Sequence, residues 1–242
     1  MEGAFTIDAS KRFVPFSLGT DNLQERPAGS LLVEIQPFVV ITDEDILLLD
    51  TGLGFRNADQ TLQIHRNLVK EGINPMEVTK VLMSHLHKDH AGGMAAKDAV
   101  SGQYSLNFPG ATYYVQRPEL AYALEKGIPS YMPEELEILQ HTDKVVLLDG
   151  PEGRIGDTIR YEVTGGHSPF HQVFWIEEGE RTVFFGGDDA PQLGQMKNKV
   201  IAKYDYDGKK CMELRKQWWA EAGEKHWTLL FYHDIKYPSV TL

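Results

Sequence analysis

Cysteine is almost absent from this chain, since its 242 residues include one, Cys211. A single thiol excludes an internal disulfide and a metal site built from thiolates, and it fits a reducing compartment. Basic side chains are also scarce, with 24 against 35 acidic ones and a net charge of −11. This balance argues against the broad basic face that nucleic-acid-binding proteins use.

Long apolar runs are missing as well. No uninterrupted run approaches the ~20 residues of a membrane span, and residues 1–8 lack the basic-then-apolar pattern of a signal peptide. We therefore expect a cytoplasmic protein without membrane contact. Hydrophobic residues make up 42% of the chain, which is enough for a substantial core. No repeat or flexible linker divides the sequence, so we expect one domain over residues 1–242.

Apolar runs and turn residues predict that strands alternate with helices. Strands are predicted at 31–41, 46–49, 81–83, 112–115, 145–148, 158–164, 172–176, 182–185 and 228–232. Helices are predicted at 59–71 with Asp59 as its cap, from Pro118 to just before Gly127, at 134–140 and at 211–221. This alternation is typical of an α/β architecture, in which helices cover sheets.

The most informative segment is 85–90, with the sequence His-Leu-His-Lys-Asp-His, directly after an apolar run. Four metal-capable side chains lie within it: His85, His87, Asp89 and His90. On an extended backbone, side chains two positions apart share a face, so His85 and His87 are expected to grip one ion. A lone histidine is usually a packing or surface residue. Four such groups buried together without a metal would leave polar atoms unpaired, at roughly 1–3 kcal/mol each.

Further polar residues follow other predicted strands. Asp50, His167, Asp188 and His233 each come where an apolar run ends. Layered α/β proteins carry their chemistry at strand ends, where loops present ligands on a rigid base. Together with the segment 85–90, these residues can supply further imidazoles and a bridging carboxylate for a pair of ions.

The chain resembles the metallo-β-lactamase superfamily of binuclear hydrolases from about residue 31 to residue 234. The segment 85–90 has the family form His-x-His-x-Asp-His. The segments 48–52, 166–167 and 187–188, and then His233, follow in the family's order. The resemblance implies a four-layer αβ/βα sandwich, the metallo-β-lactamase fold, with metals in a cleft at one edge of its two sheets.

The resemblance also implies which side chains hold the ions. One ion would be held by His85, His87 and His167, the other by Asp89, His90 and His233, with Asp188 as the bridge. The adjacent Asp189 leaves an ambiguity of one residue, although Asp188 directly follows the glycine as in the family pattern. Asp50 and His171 are expected to orient the ligands through hydrogen bonds.

Within the superfamily, the segments 115–119, 166–172 and 231–235 are similar to those of N-acyl-homoserine lactonases. Those lactonases place a tyrosine three residues after the bridging aspartate, where it contacts the substrate carbonyl. This chain has Pro191 at that position. The difference leaves the identity of the substrate open.

The implied reaction is attack by a metal-bridging hydroxide on a small ester or lactone, with an N-acyl-homoserine lactone as the first candidate. Two cations can bring the pKa of a shared water near neutrality, and Asp89 is expected to receive and return the proton. One alternative is a phosphodiester or phosphotriester hydrolase with the same ion pair. A less favoured alternative is an iron-dependent oxidoreductase.

Two divalent ions are therefore the expected cofactors. Zinc is the first candidate, and manganese or iron would suit the same His and Asp ligands. The expected partner is a small-molecule substrate, without nucleic acid or membrane. Trp218 and Trp219 mark a candidate homodimer contact. The turn-rich segment 197–206 is interpreted as a solvated loop in preference to a rim over the site.

Overall fold

Two large β-sheets form the centre of the structure, a computed structural model that describes residues 2–242. The strands are β1 (Gly3–Ile7), β2 (Phe13–Phe16), β3 (Leu31–Ile35), β4 (Phe38–Ile41), β5 (Ile46–Leu49), β6 (Lys80–Leu82), β7 (Ala95–Lys97), β8 (Tyr104–Leu106), β9 (Thr112–Gln116), β10 (Val145–Leu148), β11 (Glu152–Ile155), β12 (Ile159–Val163), β13 (Gln172–Glu178), β14 (Arg181–Phe185), β15 (Thr228–Leu230) and β16 (Ser239–Thr241). The α-helices are α1 (Gln63–Lys70), α2 (Lys88–Ala91), α3 (Arg117–Lys126), α4 (Pro133–Leu136), α5 (Leu193–Lys197) and α6 (Gly208–Lys225).

The order of the strands defines two halves. A five-stranded sheet has the order β10-β9-β6-β5-β4, and a six-stranded sheet has the order β11-β12-β13-β14-β15-β16. A three-stranded sheet, β2-β1-β3, and a two-stranded one, β7-β8, are smaller. β5, β6, β9 and β10 run parallel in the first half, and β14 and β15 run parallel in the second.

Successive side chains of a strand point to opposite faces of its sheet, so each strand contributes to two layers of the core. In β5, Leu47 and Leu49 join a core shared by both sheets, whereas Leu48 packs in the core that includes α1 and α3. In β13, Phe174 belongs to the shared core, and Trp175 packs in the core that includes α6. Helices therefore cover the outer face of each sheet, and the expected four-layer αβ/βα sandwich is confirmed.

The carboxyl ends of five strands meet at one edge of this sandwich. β5 and β6 of the first sheet lead into Asp50 and the segment 85–90. β12, β14 and β15 of the second sheet lead into His167, Asp188 and His233. Strands of both sheets thus deliver polar loops to the same edge of the sandwich, which is where open α/β sheets bind their ligands.

Several predicted elements are correct. Strands lie at or within two residues of most predicted positions, and α3 ends before Gly127, whose φ is +62°. β13 and β14 form an antiparallel hairpin around Gly179, with φ of +58°. A glycine suits this turn because it adopts positive φ without a Cβ penalty.

Other predicted boundaries are wrong. The predicted strand 31–41 is two strands in different sheets, because Pro37 has no backbone N–H to continue a ladder. The helix predicted from Asp59 begins at Gln63, and the Asp59 carboxylate instead accepts hydrogen bonds from Thr61 in the preceding turn. The strand predicted as the last one, β15, is followed by β16.

The helices of the structure bear on the expected absence of a membrane span. Within residues 2–242, no helix has both the length and the apolar composition needed to cross a bilayer.

Candidate metal centre

The first group of imidazoles lies where the chain leaves β6 and enters α2. The Nε2 atom of His85 is 2.9 Å from Nδ1 of His87, and that atom is 3.1 Å from Nε2 of His167. The three ligand atoms lie within 4.8 Å of one another. β6 ends at Leu82, and the segment that follows it brings His85 and His87 to the same place, while Leu86 between them packs in the apolar core.

A second group lies beside the first. Ligand atoms of Asp89, His90 and His233 also lie within 4.8 Å of one another. The Oδ2 atom of Asp89 is 3.6 Å from Nε2 of His233 and 3.8 Å from Nε2 of His90. Asp89 and His90 reach this position because α2 turns them back toward the sheets.

The carboxylate of Asp188 lies between the two groups. Its Oδ2 atom is 3.2 Å from Nε2 of His167. Its Oδ1 atom is 3.1 Å from Nε2 of His90 and 3.0 Å from Nε2 of His233. One carboxylate therefore presents one oxygen to each group, which is the arrangement of a bridging ligand.

Asp189 faces away from both groups. Its Oδ1 accepts a hydrogen bond of 2.6 Å from the backbone N–H of His167, and its Oδ2 accepts one from the hydroxyl of Thr164. Its backbone carbonyl accepts a bond of 2.8 Å from the buried guanidinium of Arg215. The geometry thus gives the two neighbouring aspartates different surroundings, and only Asp188 lies among the ligand atoms.

Asp50 and His171 lie directly behind the two groups. Asp50 accepts hydrogen bonds from the backbone N–H and the hydroxyl of Ser84, and its Oδ2 is 2.7 Å from Nδ1 of His90. The Nε2 atom of His171 accepts a bond of 3.1 Å from the backbone N–H of Asp188. Its Nδ1 lies 3.1 Å from Asp189. Both side chains are fully buried, so each can fix the orientation of the residue that it contacts.

Three imidazoles are oriented by partners at Nδ1. The Nδ1 atom of His90 is hydrogen-bonded to the carboxylate of Asp50. The Nδ1 atom of His167 is hydrogen-bonded to the carboxylate of Asp205 at 2.9 Å. The Nδ1–H of His233 donates to the backbone carbonyl of Glu34 at 2.8 Å. In each ring Nε2 is therefore the atom that faces the cluster, and it would present its lone pair to a bound ion, as metal-binding histidines do.

The electrostatics of the cluster follow from burial and crowding. Burial, with the repulsion of neighbouring imidazoles, holds the pKa of His85 well below its usual value, which favours a neutral ring. Burial acts to raise the pKa of Asp188, but the imidazoles of His233 and His90 outweigh it and hold that pKa well below normal. The carboxylate is therefore ionised and available to cations.

Two buried atoms test whether metals fit. Nε2 of His90 and Oδ1 of Asp188 make no hydrogen bond within residues 2–242, although they lie 3.1 Å apart. Orphaned buried polar atoms are costly in a protein interior. A cation between them would satisfy both, and neutral imidazoles with carboxylates are a suitable donor set for zinc, manganese or iron. The residues present fit a pair of divalent ions.

Four residues that support this site escaped the sequence analysis as functional residues. Asp205 and Tyr204 lie in the segment 197–206, whose interpretation as a solvated loop is wrong at these two positions. Glu119 is buried and accepts hydrogen bonds of 3.1 Å from the backbone N–H of Leu86 and the hydroxyl of Ser168. Glu34 contributes through its carbonyl, a group that every residue has and no pattern can reveal.

A cavity of about 180 Å³ opens beside both groups of ligand atoms. One wall is apolar and comes from the small N-terminal sheet, with Ile7, Phe13, Leu31, Leu32 and Val33. Pro191, Gln195 and Tyr204 line it elsewhere. Pro191, at the position of the tyrosine in the lactonases that this chain resembles, is thus an apolar residue of the cavity wall. Tyr204, from another loop, lines the same cavity.

Comparison with known proteins agrees with this geometry. The model of the metallo-beta-lactamase superfamily matches residues 33–216. A lactamase-like protein, notP, of Aspergillus sp. is 31% identical over 169 residues, which are 68% of this chain and 42% of that protein. The N-acyl homoserine lactonase of Bacillus thuringiensis is 29% identical over 170 residues, 62% of this chain and 61% of that protein.

An atrochrysone carboxyl ACP thioesterase of Passalora fulva is 30% identical over 167 residues, 69% of this chain and 41% of that protein. The matches thus span between 41% and 61% of the length of these three relatives.

Solved structures share the fold across almost the whole chain. A probable metal-dependent hydrolase from Staphylococcus aureus superposes with a TM-score of 0.77 at 20% identity, covering 99% of this chain and 89% of that one. AidC, a dizinc quorum-quenching lactonase, gives 0.70 at 19% identity, covering 88% and 76%. Because the family model spans most of the chain and the sandwich is the same, this protein belongs to the metallo-beta-lactamase superfamily.

Proposed function

We propose that this protein is a metal-dependent hydrolase with two divalent ions. His85, His87 and His167 would hold one ion, and Asp89, His90 and His233 the other. Asp188 would bridge them. The observation that carries this proposal is the Asp188 carboxylate, with one oxygen 3.2 Å from His167 and the other within 3.1 Å of His90 and His233. Zinc is the proposed metal, and the lactonase AidC is described as a dizinc protein.

We further propose a small ester or lactone as substrate, with an N-acyl-homoserine lactone first among candidates. The Bacillus thuringiensis relative, named as an N-acyl homoserine lactonase, supports a lactone. The cavity supports a small molecule, because it is a small concave space beside the proposed metal ligands. Its apolar wall suits an acyl chain.

The chain's own residues have separate tasks in this reaction. The bound ions would supply Lewis acidity, which polarises a carbonyl oxygen and acidifies a water molecule. Asp89 lines the cavity beside His233, so its carboxylate can receive a proton and return it to the leaving group. Asp50 and His171 keep their neighbours in place, and the apolar wall excludes bulk water.

Metal analysis and a substrate panel test the proposal. We expect two ions per chain and hydrolysis of N-acyl-homoserine lactones, thioesters or p-nitrophenyl esters by the metal-loaded protein. Asp188→Ala should lower the ion content and reduce activity, whereas Asp189→Asn should retain the ions better. Activity on phosphodiesters or paraoxon alone would favour the phosphoesterase alternative, and iron with oxygen uptake the oxidoreductase. Full turnover after chelation would refute metal dependence.

A further inference from the structure

Two lysines, Lys11 and Lys88, line the cavity beside the candidate metal ligands. They share this space with Asp89, Asp188 and the apolar wall of the N-terminal sheet. Both side chains are half-buried. The apolar stem of a lysine can lie along such a wall while its ammonium group faces the open space, so both charges are placed to meet a ligand that enters the cavity.

Lys88 is the first residue of α2, between two of the proposed ligands. Its Nζ lies 5.5 Å from the centre of the Phe13 ring on the N-terminal sheet. It makes no ion pair with any residue of the range 2–242. It shares the lining of the cavity with Lys11.

Lys11 reaches the cavity from the turn between β1 and β2. Its φ is +60°, in the left-handed region that residues with a Cβ rarely adopt. The turn is closed by a hydrogen bond of 3.0 Å from its backbone N–H to the carbonyl of Asp8. Backbone strain of this kind is typical of residues placed for function.

Neither lysine forms an ion pair with the carboxylates around it in residues 2–242. Asp8 accepts hydrogen bonds from Ser10, and its Oδ2 lies 3.7 Å from Nε of Arg12. Asp89 and Asp188 belong to the groups that would hold the ions. The pair of ammonium groups is thus left for an anion that enters with the ligand.

We propose that Lys11 and Lys88 form an anion-binding subsite, and that the substrate is an ester or lactone that bears a carboxylate or phosphate next to an apolar chain. The apolar chain would lie against Ile7 and Val33, with the oxyanion between the two lysines. This inference rests on the proposed hydrolase function. The substrate would then be amphipathic and negatively charged. The metal ligands and the apolar wall alone would not select for that charge.

Matched p-nitrophenyl esters test the subsite in the metal-loaded enzyme. The butanoate is neutral, the glutarate monoester adds a carboxylate, and the 4-phosphonobutanoate adds a phosphonate that stands for phosphate. We expect kcat/KM to be about tenfold higher for one or both anionic esters, mainly through KM, since one tenfold step corresponds to a modest interaction energy. The better of the two anionic esters identifies the preferred oxyanion.

Substitutions assign that preference to the two lysines. Lys11→Met and Lys88→Met should each reduce the ratio of anionic to neutral kcat/KM, and the double variant should bring it near one. Lys225→Met is the matched control, because it removes the same charge beside Trp227, far from the cavity, and should keep the ratio. Thermal melting checks that each variant is folded.

The outcomes separate this inference from the proposed function. Equal kcat/KM for neutral and anionic esters, or a preference that survives in the double variant, would overturn the subsite and leave the hydrolase intact. If no ester is cleaved, the proposed function is at fault. Calorimetric titration of the purified protein with hexanesulfonate then still tests the subsite, since binding about tenfold weaker in the double variant supports it and equal binding overturns it.

Discussion

At the scale of single residues, the site depends on which atom of each side chain remains free. The Nδ1 atoms of His90, His167 and His233 are engaged by Asp50, Asp205 and a backbone carbonyl. The same principle applies to the hydroxyl of Tyr204. Gln195 donates a hydrogen bond of 3.1 Å to its oxygen, so the hydroxyl hydrogen is free to point into the cavity.

Tyr204→Phe is expected to lower kcat/KM about tenfold while the ion content stays unchanged, because the loss of one hydrogen bond costs about 1–1.5 kcal/mol. Burial raises the pKa of Tyr204 to about 12, so the hydroxyl remains a donor at neutral pH. Steady-state kinetics with a lactone or ester gives the measurement. Tyr206→Phe is the control, since the Tyr206 side chain is largely exposed. Equal kinetics for both variants would remove Tyr204 from the reaction.

At the scale of elements, α3 connects the two ligand loops. Glu119 projects from this helix and is 1% exposed. Its carboxylate accepts hydrogen bonds from Leu86, between His85 and His87, and from Ser168, next to His167. One helical residue thereby sets the spacing of all three imidazoles in the first group.

Glu119→Ala is expected to weaken metal binding by about 10–100-fold, the usual effect of removing a partner behind a ligand. Glu119→Gln should retain most of the affinity, because an amide can accept from Leu86 and donate to the Ser168 hydroxyl. Competition with a chromophoric chelator measures the affinity. Glu125→Ala lies on the exposed face of the same helix and serves as the control. Equal affinity in the alanine variant and the wild type would contradict this role.

Glu2, just before β1, ties the N-terminal sheet to the loop after β5. Its carboxylate accepts hydrogen bonds from the backbone N–H groups of Leu53, Gly54 and Phe55. Burial outweighs these bonds and raises the pKa of Glu2 from 4.5 to about 7. A raised carboxyl pKa means that the folded protein keeps a proton that the unfolded chain releases.

The stability that this proton provides is complete below pH 4.5 and is lost as the pH rises through about 7. The melting temperature of the wild type should therefore fall, relative to that of Glu2→Gln, between pH 4.5 and about 7.5. Differential scanning calorimetry across this range gives the comparison. Glu44→Gln removes an exposed carboxyl and should follow the wild type. A constant difference between the wild type and Glu2→Gln would disprove the coupling.

At the scale of the whole molecule, both halves of the sandwich contribute to each group of ligand atoms. His85 and His87 follow β6 of the first sheet, and His167 follows β12 of the second. In the other group, Asp89 and His90 come from the first half and His233 from the second. Bound ions would therefore hold the two sheets together, and folding and metal binding should be linked.

Removal of the ions by a chelator should lower the melting temperature. A ligand present at 100 times its Kd stabilises by about 2.7 kcal/mol, and about 2–4 °C of melting temperature accompany each kcal/mol in a chain of this size. We expect a decrease of about 5–10 °C after EDTA treatment, reversed by zinc. Calorimetry before and after dialysis measures it, and an unchanged transition would argue against ions shared by the two halves.

The sequence predicts the metal cluster better than its surroundings, and the reason is local. The segment 85–90 places four proposed ligands within six residues, and His167, Asp188 and His233 each follow an apolar strand. The supporting residues have no such signal. Asp205 and Tyr204 come from a polar loop, and β1 and β2 are short strands whose sheet is completed by the pairing of β1 with the distant β3. Long-range contacts of this kind are invisible to patterns along the chain.

The apolar wall of the cavity has a consequence for how such enzymes diversify. Ile7, Phe13, Leu31 and Leu32 lie before residue 33, where the match to the superfamily begins. Most of the apolar wall thus comes from a stretch that holds none of the proposed metal ligands, whereas Lys88, Gln195 and Tyr204 reach the cavity from later in the chain. An exchange of the first 32 residues for those of a relative would therefore change which acyl chains fit, while every proposed ligand stayed in place.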